Sequence, residues 1–151
     1  MSDIRHRVGV FAPQQQVFDT LSTIKGLSGW WTRDVRGDER EGGNLEFYFR
    51  GGDTPSAVMR VTEITPSERV AWECVEGPKD WIGTTLTFEL YPGPEERETV
   101  VKFTHGDWRE PAEFLHHCST RWAQYLISLK TGLEDDRWQP DAAMPMISSW
   151  A

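Results

Sequence analysis

A change of period constrains this chain most. From residue 45 to residue 108 large apolar side chains recur at every second position, and beyond residue 111 they recur every third or fourth. Leu45, Phe47 and Phe49 alternate with Glu46, Tyr48 and Arg50, and Thr84, Leu86, Phe88 and Leu90 alternate with Thr85, Thr87 and Glu89. Strict alternation places one set of side chains on a buried face and the other in water, which is the pattern of a half-buried strand. Leu115, Cys118, Trp122, Tyr125, Leu126 and Leu129 instead fall on one side of a helix.

The remaining elements follow from the same reading. A first strand is expected over residues 4–10, where Ile4, His6, Val8 and Val10 are in phase. Ala12-Pro13 opens a helix with Val17, Phe18 and Leu21 on its apolar face, because proline suits the first helical turn. A second short helix is expected over residues 23–27, closed by Gly29 and followed by Trp30-Trp31. Strands are expected over residues 45–50, 57–64, 69–76, 81–91 and 98–108, separated by Gly51-Gly52, Thr65-Pro66-Ser67, Gly77-Pro78 and Pro92-Gly93-Pro94. The long helix should start at Pro111 and stop at Gly132.

Sequential strands joined by short turns make an antiparallel meander. The expected fold is therefore α+β, a curved antiparallel sheet of about six or seven strands wrapped on a long C-terminal helix, with two short helices after the first strand. A sheet curled on a single helix leaves room for a cavity between the two. The domain spans residues 3–132, and residues 133–151 form a tail that is either disordered or laid back over the domain.

Charge narrows the partners. Sixteen basic against 24 acidic residues give a net charge of −8, which is unsuited to tracking phosphates or docking on anionic lipid. Nucleic-acid and membrane partners are thus not expected. The start of the chain, Met1-Ser2-Asp3-Ile4-Arg5, carries no apolar leader, and no run approaches the roughly 20 apolar residues of a membrane span. A soluble, cytoplasmic protein is expected, whose two cysteines, Cys74 and Cys118, serve as small buried hydrophobes.

Several short motifs occur in a telling order: Val17-Phe18-Asp19 in the first helix, Trp30-Trp31 after the second, Gly42-Gly43 before a strand, Val61-Thr62-Glu63-Ile64-Thr65-Pro66 ahead of Val70-Ala71-Trp72, Thr104-His105-Gly106 at a strand end, and Trp122 with Tyr125-Leu126 and Leu129 in the closing helix. Together they resemble the START-like (SRPBCC) superfamily, and within it the family named for the activator of heat-shock-protein ATPase homologue. The resemblance covers residues 3–132 and implies the helix-grip fold. Members of this superfamily bind lipids, steroids, polyketides and hormones, and some are cyclases, so the fold does not fix the function.

Candidate chemistry is sparse. His116 and His117 project about 100° apart on a helix and cannot share a metal ion, and neither CxxC nor HExxH is present. No metal, cofactor or catalytic residue is expected, although a thiol–imidazole pair of Cys118 or Cys74 with His105 is conceivable. His105 continues the inward phase of Val101 and Phe103; it either orients a ligand oxygen or bonds a backbone carbonyl. Arg121 and Tyr125, four apart on the helix, either reach one ligand carboxylate or hydroxyl together or pair with Glu113, Asp107 and solvent.

The aromatic load, 7 Phe, 3 Tyr and 8 Trp, is the remaining signal. Trp72 and Trp122 read as core, whereas Trp30, Trp31, Trp81 and Trp108 stand at element ends, where a pocket rim would form. The expected function is binding of a small lipophilic or aromatic molecule. Its site would comprise Trp31, Phe47, Phe49, Met59, Trp72, Trp81, Phe103, Trp108, Phe114 and Trp122, with His105, Arg121 and Tyr125 fixing orientation. Two alternatives are a cyclase or aromatase acting in the same cavity and a module that stimulates a chaperone ATPase. The chain is expected to be a monomer or a homodimer.

Overall fold

The computed structural model describes residues 2–109 and 113–151. Seven strands, β1 (Ser2–Val10), β2 (Asp34–Gly37), β3 (Asn44–Tyr48), β4 (Ala57–Thr65), β5 (Arg69–Glu76), β6 (Thr85–Pro92) and β7 (Thr99–Trp108), form one sheet. Its order is β1-β7-β6-β5-β4-β3-β2 and every pairing is antiparallel. The first strand therefore pairs with the last, and β1 and β2 are the two edges of an open sheet. Helices α1 (Gln14–Ser22) and α2 (Ile24–Trp30) sit between β1 and β2, and α3 (Glu113–Asp135) follows β7. This is the helix-grip α+β architecture.

Register explains the core. Phe88 pairs with Phe103, Trp72 with Leu86, and Met59 with both Cys74 and Leu45. All seven of these side chains are buried, so successive strands stack one apolar row across the sheet. Two register shifts between β4 and β5, at Val58/Met59 and Val61/Glu63, add local twist and help the sheet to curl.

Several expected boundaries move. Strand β2 leaves no signal in the sequence, because only Val35 of its four residues is buried and no alternation can show in so short a run. Strand β6 starts at Thr85 rather than Trp81, since residues 81–84 form a turn in which Thr84 N–H bonds the Trp81 carbonyl at 2.9 Å. The expected helix start at Pro111 lies outside the described residues.

Neither Gly29 nor Gly132 ends a helix: α2 runs on to Trp30 and α3 to Asp135. Gly132 makes room for the Trp138 ring instead, and Gly29 lies beside the same ring. A Cβ on Gly132 would stand 2.1 Å from that ring, and one on Gly29 would stand 3.4 Å from it. The tail is ordered and lies back along α3. Gln139 N–H donates to Ser128 Oγ at 3.0 Å, and Asp141 N–H donates to the Trp31 carbonyl at 2.7 Å.

Candidate functional site

The space between sheet and helix is filled by rings. Trp31, with no exposed surface, lies parallel to Trp72 at 5.9 Å and meets Phe47 at 4.3 Å, Trp122 at 5.1 Å and Tyr125 at 6.1 Å. Phe103 reaches Trp122 at 4.5 Å. Trp30, Trp31 and Trp108 are packed inside rather than set on a rim. The reason is that α2 carries its last turn, and with it the Trp pair, onto the inner face of the sheet. Trp81, 9% exposed, is buried as well but faces an open cleft.

His105 is likewise sealed in. Its Nδ1 accepts the Trp122 indole N–H at 3.1 Å, and its Nε2 lies 2.8 Å from Thr84 Oγ1. Burial holds the imidazole down at about 3. With both nitrogens engaged, neither cysteine pairs with it. Burial pushes the thiols of Cys118 and Cys74 up, to about 12 and about 11, far from the reactive range.

A cleft of about 250 Å³ opens at one end of this ring stack. Its walls come from α3 and from the loops that follow β3 and β5. Phe49, Ala57, Trp81, Phe114 and Trp122 supply apolar surface. The tail forms the roof: Trp150, 50% exposed, stands edge-on to Phe114 at 5.5 Å and to His117 at 5.8 Å. Cys118, Arg121, Trp122 and Tyr125 reach it together because three- and four-residue steps share one side of a helix.

Polar groups in the cleft are few and largely engaged. Tyr125 donates to Asp141 Oδ1 at 2.6 Å, and Arg50 Nε approaches Asp141 Oδ2 at 3.4 Å. Burial, and then the Asp141 charge, raise the Tyr125 hydroxyl above the usual tyrosine range. Arg121, 5% exposed, donates to Gln124 Oε1 at 2.9 Å and to the main-chain oxygen of Ala151, the last residue of the sequence. The expected pairing with Glu113 or Asp107 is not made. His117 Nδ1 lies 2.6 Å from Ser148 Oγ, and burial, then Arg121, keep its imidazole below the usual histidine range.

A profile of the family described as Activator of Hsp90 ATPase homolog 1-like protein matches residues 11–134. The chain belongs to this family. Among solved structures, the Aha1 dimer of Colwellia psychrerythraea shares 36% identity with it, covers 89% of this chain and 98% of that one, and superposes with a TM-score of 0.79. CalU16 of Micromonospora echinospora (21% identity, 89% and 75% covered, TM-score 0.73) and an Hsp90 activator of Plasmodium falciparum (18%, 87% and 95%, 0.67) share its fold. Among curated proteins none matches significantly.

Of the thirteen residues expected at a ligand site, six line the cleft: Phe49, Trp81, Phe114, Arg121, Trp122 and Tyr125. Trp31, Phe47, Met59, Trp72, Phe103, His105 and Trp108 pack behind it, each no more than 1% exposed. Sequence reasoning missed Arg50, His117, Asp141 and Trp150 as cleft residues. The tail pair shows only as an aspartate after Pro140 and a tryptophan near the end of the chain, neither of which names a destination. Among the described residues no three His, Cys, Asp or Glu side chains gather to hold a metal, and no helix is long and apolar enough to cross a membrane.

Proposed function

We propose that the chain binds a small lipophilic or aromatic molecule in the cleft between α3, the two loops and the tail. The carrying observation is the cleft's aromatic lining, with Trp81, Trp122, Phe114 and Trp150 converging on about 250 Å³. A dry 150 Å³ cavity accommodates benzene, so this volume suits a molecule of one or two rings. Burying such faces is worth about 25 cal/mol per Å² before association costs.

Tryptophan quenching and thermal shift against a series of aromatic and alicyclic compounds test the reading. A wild-type response that disappears in Ser56→Phe, which blocks the mouth from an exposed rim position, supports it. Absence of any response across the series removes it. A cyclase using His105 gains no support, because that imidazole is packed behind the cleft with both nitrogens bonded.

Family membership favours a second reading, an interaction module for an Hsp90-type chaperone, acting as a monomer or homodimer. Stimulation of the host chaperone's ATPase by the purified protein is its test. Equal ATPase rates with and without the protein count against it.

A further inference from the structure

Charge is missing from one face of this protein. The chain is 26% charged, yet α3 carries a single Asp, Glu, Lys or Arg side chain between Glu113 and Lys130, and the tail carries a single one beyond Arg137. Those two, Arg121 and Asp141, are each 5% exposed and line the cleft. The side of α3 that bears Thr120, Ala123 and Ile127, at helical spacing, and the tail strip beside it therefore meet water without an exposed charge.

What this face presents instead is apolar and shaped. Ile127 is 51% exposed and Met146 is 64% exposed, among the largest exposures of any apolar side chain in the molecule. Thr120, Ala123 and Ile127 of α3 look across a depression of about 350 Å³ at Gln139, Met144 and Pro145 of the tail. Knob and hollow thus lie side by side on one face. An isologous contact demands this arrangement, since a two-fold axis sets each copy's knob over the other's hollow.

The charge pattern selects the occupant. Two copies of this chain each bring a net charge of −8, and a face dotted with carboxylates would set like against like on meeting itself. An uncharged face can pair with its own copy without that repulsion, whereas a strongly charged partner finds nothing here to hold. We infer that this face of α3 and the adjoining tail strip form an isologous interface with a second copy of the chain, Ile127 of each copy entering the depression of the other. The inference rests on the homodimer alternative above and gives it a surface. Each tail strip is then held between its own helix and the partner.

Sedimentation equilibrium of the full chain at micromolar to submillimolar concentration tests this, with Ile127→Glu, Met146→Glu and, as a charge-matched control, Ile82→Glu. Ile82 is also exposed but lies in the loop between β5 and β6. Wild type should dimerise. Ile127→Glu should weaken the dimer by about tenfold or more, the effect of losing a central anchor. Met146→Glu should weaken it too, and Ile82→Glu should match wild type. Both replaced side chains already face water in the single chain, so thermal unfolding of the dilute variants should change little, which separates dissociation from unfolding. Ile127→Glu and Met146→Glu proteins as dimeric as wild type overturn the surface and leave the homodimer reading standing. Equal weakening by Ile82→Glu overturns it as well, since added charge anywhere would then suffice. A wild type that stays monomeric throughout overturns both the surface and the homodimer reading, and gives the face to a partner other than this chain.

Discussion

The indole N–H of Trp122 points at Nδ1 of His105, 3.1 Å away. Tryptophan can only donate, so Nδ1 must be the unprotonated nitrogen and Nε2 carries the hydrogen. That hydrogen goes to Thr84 Oγ1 at 2.8 Å, and the threonine hydroxyl goes on to the Trp81 carbonyl at 2.5 Å. Helix, strand and loop are thereby tied by one chain of bonds that tolerates only a neutral imidazole. A proton on Nδ1 would set one N–H against another.

Acid should therefore weaken the fold through His105. In the unfolded chain this histidine titrates near 6.5, whereas burial holds it at about 3 in the fold. Below pH 6.5 the unfolded state takes up a proton that the folded state refuses. The stabilisation is complete above 6.5 and drains as pH falls toward 3, at up to about 1.4 kcal/mol per unit. Urea midpoints between pH 6.5 and 5 should fall in wild type and fall less in His105→Asn, with a residue of slope from His117, which is also depressed. Identical slopes would remove His105 from the acid response.

Both thiols should be silent in the native protein. Cys74 and Cys118 are buried, with titrations raised to about 11 and about 12 by that burial. A thiol reagent at pH 8 should label neither until denaturant is added, and then label both. Rapid native labelling of Cys118 would mean that the cleft opens far more often than its packing implies.

Asp141 should hold the tail down. It accepts the Tyr125 hydroxyl, faces Arg50 and bonds the Trp31 carbonyl through its own N–H. Asp141→Ala strands the tyrosine hydroxyl and should cost about 1–3 kcal/mol. Trypsin should then cut after the exposed Arg137 faster than in wild type. Tyr125→Phe, which leaves the buried Asp141 Oδ1 without this donor while Arg50 still faces Oδ2, should also cost about 1–3 kcal/mol. Unchanged cleavage in Asp141→Ala would show that other contacts suffice.

Gly132→Ala should behave oppositely in two backgrounds. In a helix interior the change ordinarily gains about 1 kcal/mol, but here the new methyl meets the Trp138 ring. Wild type should lose stability, whereas a Trp138→Ala background should gain it. Denaturant unfolding of the four proteins forms a double-mutant cycle, and a zero coupling term would refute the steric account.

Most of the framework is legible in the sequence because apolar period survives wherever an element is long enough to repeat it. Leu86, Phe88 and Leu90 announce β6, and Cys118, Trp122 and Leu126 announce α3, from residue type alone. Short β2 is not legible, since one buried valine makes no period. The helix ends fail differently. Glycine reads as a stop, and nothing local reveals that Gly132 is there for a ring from elsewhere. The cleft is half legible for a related reason. Its α3 wall follows from spacing, but Arg50, Asp141 and Trp150 arrive by contacts between residues far apart in the chain, which no local pattern encodes.

The seat of Trp138 is built from two helices, Gly132 of α3 and, beside it, Gly29 of α2, which lie about a hundred positions apart in the chain. It does not exist until α2 and α3 are already side by side. The tail can dock only on a finished domain, and pulling it off costs its own contacts alone, which places it at the low end of the molecule's local stabilities. Trp138 thus marks the part of the molecule expected to come free first, before any ring of the Trp31 stack is disturbed.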